Sequence, residues 1–271
     1  MNFNSTFLML YFESKHLKYF YDMKLNTLRF KLAAKASSIH FGLSAVVAAC
    51  IAFFVFSLWF PYPYRELAGG TELFMLVIAV DLVCGPLLTL VLYSPTKPKR
   101  EMLTDMSLVV FIQILALCYG LWTVWLVRPI YLVQEADRLT IISRASIAIN
   151  ELDSLAAELK PRFFGGSIQV SLRDLTMAER EKLIAEIKAG GHDASEHPML
   201  YVQYDEIAAY KNSRSLNDLI KIRPELKNQL ENIGQKQNSS TAELRYLYII
   251  GRIYAIAILN TKGVVIEYLF L

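Results

Sequence analysis

The chain has 271 residues, 54% hydrophobic and 20% charged, with a mean hydropathy of +0.33, more apolar than an ordinary water-soluble domain. The formal net charge of +3 is too small for a nucleic-acid-binding surface. Three cysteines, with no C-x-x-C and none after residue 129, exclude a disulfide scaffold and a zinc-ligand pattern and read as small packing residues.

Charge and hydropathy divide the chain near residue 128. The first 128 residues hold 11 Lys/Arg and 7 Asp/Glu, and the rest hold 17 and 18. Residues 1–40 read as a cytoplasmic N-terminal segment, and within it 1–22 stand apart. They show no cleavage site and no stripe long enough to insert, while Met23 begins an ordinary basic flank, MKLNTLRFKLAAK, and reads as the native start.

Residues 41–127 read as a three-helix transmembrane domain. Apolar runs at 41–60, 73–93 and 106–127 each match the roughly 20 residues that cross a hydrocarbon core. Basic residues mark the cytoplasmic side. Lys24, Arg29, Lys31 and Lys35 precede the first run, and Lys97, Lys99 and Arg100 lie between the second and third. The loop at 61–72 holds Arg65 against Glu66 and Glu72. The expectation is a multi-pass membrane protein with its N-terminus in the cytoplasm and its C-terminal domain across the membrane.

Asp81 is the one acidic or basic residue inside these runs. An intramembrane carboxylate is costly and must face other helices or water. It reads either as a proton or ligand site or, favoured because it stands alone, as an interhelical hydrogen-bonding group with Gln113 as partner. Gly85 and Pro86 follow one turn later and predict a broken, closely packed second helix. Gly120 marks a second point of close approach. Trp59, Phe60, Tyr62 and Tyr64, with Trp122 and Trp125, read as interfacial aromatic belts.

Residues 128–271 read as an extracytoplasmic α+β domain. Arg128-Pro129 ends the third run, and IYLVQEADRLTIISR predicts one or two strands. Residues 144–160 look helical toward their end. Asp174 or Thr176 can cap a helix through about Ala189, stopped by Gly190-Gly191. A helix over 214–230 is interrupted at Pro224. The apolar tail from Tyr246 is broken by Arg252, Asn260, Lys262 and Glu267, and Asn260-Thr261-Lys262-Gly263 is a turn signal, so a β-hairpin is expected instead of a fourth span. His192 and His197 in GGHDASEHP read as a polar loop. No phosphate loop, nucleophile elbow or H-E-x-x-H is present, so no catalytic residue, cofactor or metal is expected.

Several segments together resemble the bacterial type IV pilin accessory proteins of the TfpX/TfpZ type. They are Trp59-Phe60-Pro61, Gly69-Gly70, VDLVCGPLLTLV at 80–91, the basic loop at 97–100 and Asp105. ALCYG at 116–120 and RPIYLVQEADR at 128–138 complete the set. The resemblance implies a non-enzymatic protein of the bacterial inner membrane, its C-terminal domain periplasmic, that serves type IV pilus (fimbrial) biogenesis. It would act beside the lipid bilayer on the membrane helix and globular head of the major type IV pilin, and change pilin accumulation or assembly. The last hairpin is more apolar here than in that family, and residues 1–22 have no counterpart. Interaction or packing candidates are Asp81, Gly85, Pro86, Gln113 and Gly120 in the spans, and Arg128, Pro129, Asp137 and Arg138 after them. A glycosyltransferase-like enzyme acting on pilin and a membrane sensor with an exported ligand domain are the competing readings. The short loop at 61–72 disfavours the first, and the lack of a cytoplasmic output domain disfavours the second.

Overall fold

The computed structural model describes residues 3–271, with side chains from Thr27 onward. The expectation that Met23 is the native start falls on side chains outside the described residues. The chain divides into two compact units, one running to Ile51 and including Met75–Leu121, the other comprising Ala52–Phe74 and Trp122–Leu271.

The first unit is helical. Helix α1 (Phe3–Phe54) continues as one π-helical turn over Val55–Trp59. A short helix α2 (Tyr64–Leu67), which belongs to the second unit, leads into α3 (Gly70–Leu92), and α4 (Lys99–Val127) follows. Three helical stretches, Thr27–Trp59, Gly70–Leu92 and Lys99–Val127, are long and apolar enough to cross a membrane. The first and third reach well beyond the expected apolar runs. Helix geometry continues into polar flanks because backbone hydrogen bonding does not stop where hydrophobicity does. Pro98 stands just before α4, where a missing N–H costs nothing.

The outward faces of these helices are apolar: Leu43 is 65% exposed, Val91 65% and Phe111 58%. Such surface is unfavourable in water and matched to hydrocarbon. Cys50, Cys84 and Cys118 also face outward, so the packing role expected for them is not what the fold shows. The broken second helix is likewise corrected. Helix α3 runs unbroken through Pro86, and Ser37 of α1 donates to the Pro86 carbonyl at 2.8 Å. A neighbouring hydroxyl is one way a span accommodates proline.

The second unit is built on a mixed eight-stranded sheet. Strands β1 (Pro129–Glu135) and β2 (Arg138–Ser143) form an antiparallel hairpin. After α5 (Ile149–Asp153), strand β3 (Ile168–Leu172) pairs in parallel with β1. Helix α6 (Met177–Lys188) begins at a Thr176 capping box with Glu179 and ends before Gly190, which takes a positive φ of 84°. Strand β4 (Tyr201–Gln203) joins β3, and α7 (Glu206–Asn212), β5 (Arg214–Ser215), α8 (Leu216–Ile222) and α9 (Lys227–Lys236) follow. Pro224 separates α8 from α9, as its ring requires. Strands β6 (Arg245–Ile250), β7 (Ala255–Leu259) and β8 (Val265–Phe270) close the sheet, with the order β4-β3-β1-β2-β6-β7-β8 and β5 beside β6. The tail is therefore no helix: the expected hairpin is β7–β8, extended by β6 into three antiparallel strands, and β7 is buried along its whole length.

Side-chain alternation divides the core between two sheet faces. Ala255, Ala257 and Leu259 pack with Leu132, Leu139 and Leu247 against Tyr64, Leu67 and Ala209. Ile256 and Ile258 pack with Tyr246 and Leu269 against Leu216, Leu219, Leu230 and Ile233. Segment 144–160, expected to be helical toward its end, forms only the five residues of α5 flanked by two 3-10 turns.

The first aromatic belt is also corrected. Trp59, Phe60 and Tyr64 are buried in this unit, while Tyr62 is exposed. The chain turns at Pro61 and carries these rings into protein contacts: the Trp59 indole N–H donates to the Phe163 carbonyl at 3.0 Å, and Tyr64 joins the sheet core. Trp122 faces outward near the end of α4, as a belt residue would.

Candidate functional site

Within the helical unit, polar residues meet on facing helix surfaces. Ser37, His40 and Ser44 recur at i, i+3 and i+7 along α1, and so share one face. Asp81, Gly85 and Thr89 recur every fourth residue along α3. Gln113 comes from α4. His40 Nε2 donates to Gln113 Oε1 at 2.8 Å, which in the neutral ring leaves Nδ1 to accept the Thr89 hydroxyl at 2.6 Å. The Gln113 amide donates to Ser44 Oγ at 3.0 Å and to the Asp81 backbone carbonyl at 3.2 Å.

Glycine makes this network possible. A Cβ at Gly85 would collide with the Gln113 amide, and one at Gly120 with Val77 of α3. Gly85 and Gly120, expected only as points of close approach, each lie against a side chain of the facing helix. The Asp81–Gln113 pairing takes a different form from the expected one. Gln113 uses the Asp81 main chain, and the Asp81 carboxylate has no hydrogen-bond partner among the described residues, although Asp81 is only 8% exposed. It lines a cleft of about 470 Å³ between the three helices, walled by Ile39, Leu43, Val47, Ile78, Val110 and Ile114. The result is an apolar cleft with one free carboxylate in its wall. It can accept a hydrogen bond from a donor arriving on an apolar partner.

The candidates after the spans fall into two places. Arg128 is 3% exposed; its Nη1 donates to the Phe163 carbonyl at 2.6 Å and its Nη2 to the Arg162 carbonyl at 3.0 Å. Burial and the like charge of Arg144 lower its pKa to about 10. Pro129 opens β1, buried opposite Ser143. Asp137 and Arg138 lie beyond the other end of this seven-residue strand, roughly 20 Å away. Asp137 accepts from Arg214 Nη2 at 2.8 Å, which holds its carboxyl below the usual range, and Arg138 pairs with Glu135 at 2.6 Å. The polar loop at 192–197 is ordered locally, with Asp193 capping a 3-10 turn and His192 3.0 Å from Glu196.

Sequence reasoning missed His40, Ser37, Ser44 and Thr89. The signal was present as the helical spacing of polar residues inside apolar runs.

The structure thus joins three helices long and apolar enough to cross a membrane, with a polar network between them, to a folded mixed-sheet domain. A family model described as fimbrial assembly protein FimB matches residues 28–69. The fimbrial assembly protein of serogroup I from Dichelobacter nodosus is 39% identical over 180 residues, 66% of this chain and 70% of that one. That of serogroups C1 and C2 is 44% identical over 128 residues, 47% of this chain and 98% of the relative. The chain belongs to the fimbrial assembly protein family. No solved structure matches it.

Proposed function

We propose that the protein is a non-enzymatic accessory factor of type IV pilus biogenesis, of the TfpX/TfpZ type, that holds a pilin subunit in the inner membrane before assembly. The observation that carries this reading is the unpaired Asp81 carboxylate in the apolar cleft between α1, α3 and α4. A carboxylate kept without a partner in such surroundings is costly, and the cost is recovered when a donor arrives. A pilin waiting in the membrane offers a single apolar helix. Helices in lipid associate through close packing and a few polar contacts, and the cleft supplies both. The mixed-sheet domain would then stand in the periplasm beside the pilin head, with β8 as the last strand at one end of the sheet. Family membership supports the assignment to fimbrial assembly.

Photo-cross-linking groups at Val110 and Ile114, both on the cleft wall, test it in cells that express the cognate major pilin. The expected result is capture of pilin, reduced about five-fold or more by Asp81→Leu, the worth of one buried polar contact between helices. Deletion of the gene would lower pilin amount or piliation and leave pilin mass and transcription unchanged. Absence of capture from both positions, with pilin levels unaffected by deletion, would overturn the reading. An altered pilin mass would mean a modifying enzyme, and altered pilin transcription alone a sensor.

A further inference from the structure

Where α4 gives way to the sheet domain, two arginines are buried with no carboxylate to neutralise them. The Arg144 N–H donates to the Arg128 carbonyl at 3.0 Å across the start of the hairpin, which sets both side chains at one end of the sheet. Arg128 is 3% exposed and Arg144 9%. Neither lies within ion-pair distance of an acidic side chain among the described residues. The Arg128 Nε is buried without any hydrogen-bond partner. Arg144 uses only Nη1, which donates to the Ile147 carbonyl at 2.9 Å. The Trp125 ring lies against both guanidinium groups, 5.7 Å from Arg128 and 5.5 Å from Arg144.

These groups line a cavity of about 230 Å³, whose rim includes Lys160, Asp153, Ile149 and Phe163. Lys160 donates to the Asp153 main-chain carbonyl at 2.7 Å, so its charge is not cancelled by that contact. Three cations against one carboxylate leave an excess of two positive charges around a partly enclosed space. Such a space draws an anion, and a guanidinium fork suits a phosphate oxygen pair.

We propose that the cavity between Trp125, Arg128, Arg144 and Lys160 binds the phosphate of an anionic membrane lipid. The proposal rests on the reading that the three long helices cross the membrane. Its place in the chain favours a lipid over a free ion. The cavity opens at the C-terminal end of an apolar helix, its wall is a tryptophan, and its rim carries the exposed apolar side chains Ile149 and Phe163. Indole at that level is typical of the headgroup region, and the two rim residues would lie where acyl chains begin. The volume admits a phosphate and the atoms next to it, which leaves the chains outside.

Native mass spectrometry of the full chain, released from membranes mixed from phosphatidylglycerol and phosphatidylcholine, tests the proposal. The expected result is retention of phosphatidylglycerol over phosphatidylcholine, falling about five-fold in Arg144→Gln and by a similar factor in Lys160→Gln, since one basic residue near a headgroup is worth about that much. Arg144→Lys keeps the preference, and Lys160 is exposed, so its variant reports even if Arg144→Gln does not fold. Millimolar inorganic phosphate should fail to displace the lipid. Equal retention of the two lipids, or a preference untouched in both Gln variants, overturns the proposal. Displacement by phosphate overturns the lipid source and leaves a free-anion site. Carbonate extraction separates the two levels: release of the chain from membranes would undo the spanning reading itself, whereas lost lipid preference in a membrane-integral chain undoes only the headgroup site.

Discussion

Gly263 shows how one residue fixes the last hairpin. Its φ is +84°, and a Cβ there would strike the main-chain oxygen of Glu206 at the start of α7. The turn is closed by the Gly263 N–H donating to the Asn260 carbonyl at 2.9 Å, and Tyr204 donates to the Gly263 carbonyl at 3.1 Å. An L side chain is strained in this conformation whatever the space, and here the space is occupied by backbone. Gly263→Ala is therefore expected to cost about 2 kcal/mol and lower the melting temperature of the sheet domain by several degrees, while leaving the helical unit intact. Thermal unfolding followed by circular dichroism in detergent measures this; an unchanged melting curve would mean that the turn is free to move. The turn signal Asn-Thr-Lys-Gly was legible in the sequence, because its residue types answer a local backbone need. That the same glycine also lies against α7 was not, because Glu206 is distant in the chain.

At the scale of elements, the contact between α3 and α4 is governed by Gly120. A side chain at that position would displace Val77, so Gly120→Leu should push the two helices apart. The expected consequence is loss of the Gln113 network and at least a several-fold drop in folded protein recovered in mild detergent, while Gly42→Leu, where a Cβ meets nothing, serves as the neutral control. Size-exclusion profiles of the two variants decide it. Helix existence was legible from apolar length alone, and the Thr176 cap and the Pro224 interruption from local chemistry. Helix limits were not, since α4 begins at Lys99, well before its apolar run. The fate of Trp59 and Tyr64 was equally hidden. An aromatic ring at the end of an apolar run satisfies a headgroup layer and a protein core equally well, and only the tertiary fold selects between them. The site was half legible: Asp81, Gly85, Gln113 and Gly120 stand out singly, but His40, which bonds Thr89 and Gln113, is recognised only when α1, α3 and α4 are set side by side.

At the scale of the molecule, the proposed reading of three crossings, with Arg29, Lys31 and Lys35 in α1 and Lys97, Lys99 and Arg100 at the start of α4 on the cytoplasmic side, would put the sheet domain across the membrane from Lys97 and Arg100. A reporter that is active only outside the cytoplasm, fused after Leu271, should be active, and the same reporter inserted after Thr96 should be silent. The opposite result would reverse the orientation and remove the periplasmic pilin head as a partner of the sheet.

The sheet's strand order also sets a schedule. Strand β2 lies in parallel beside β6, with Arg138 opposite Tyr248, so one side of the first hairpin is completed by residues made much later. During synthesis the hairpin emerges as a ribbon with an uncovered flank and waits for the remainder of the chain. Over that interval the nascent protein is itself an unfinished client, and anything that offers it a strand too early competes with its own C-terminal end.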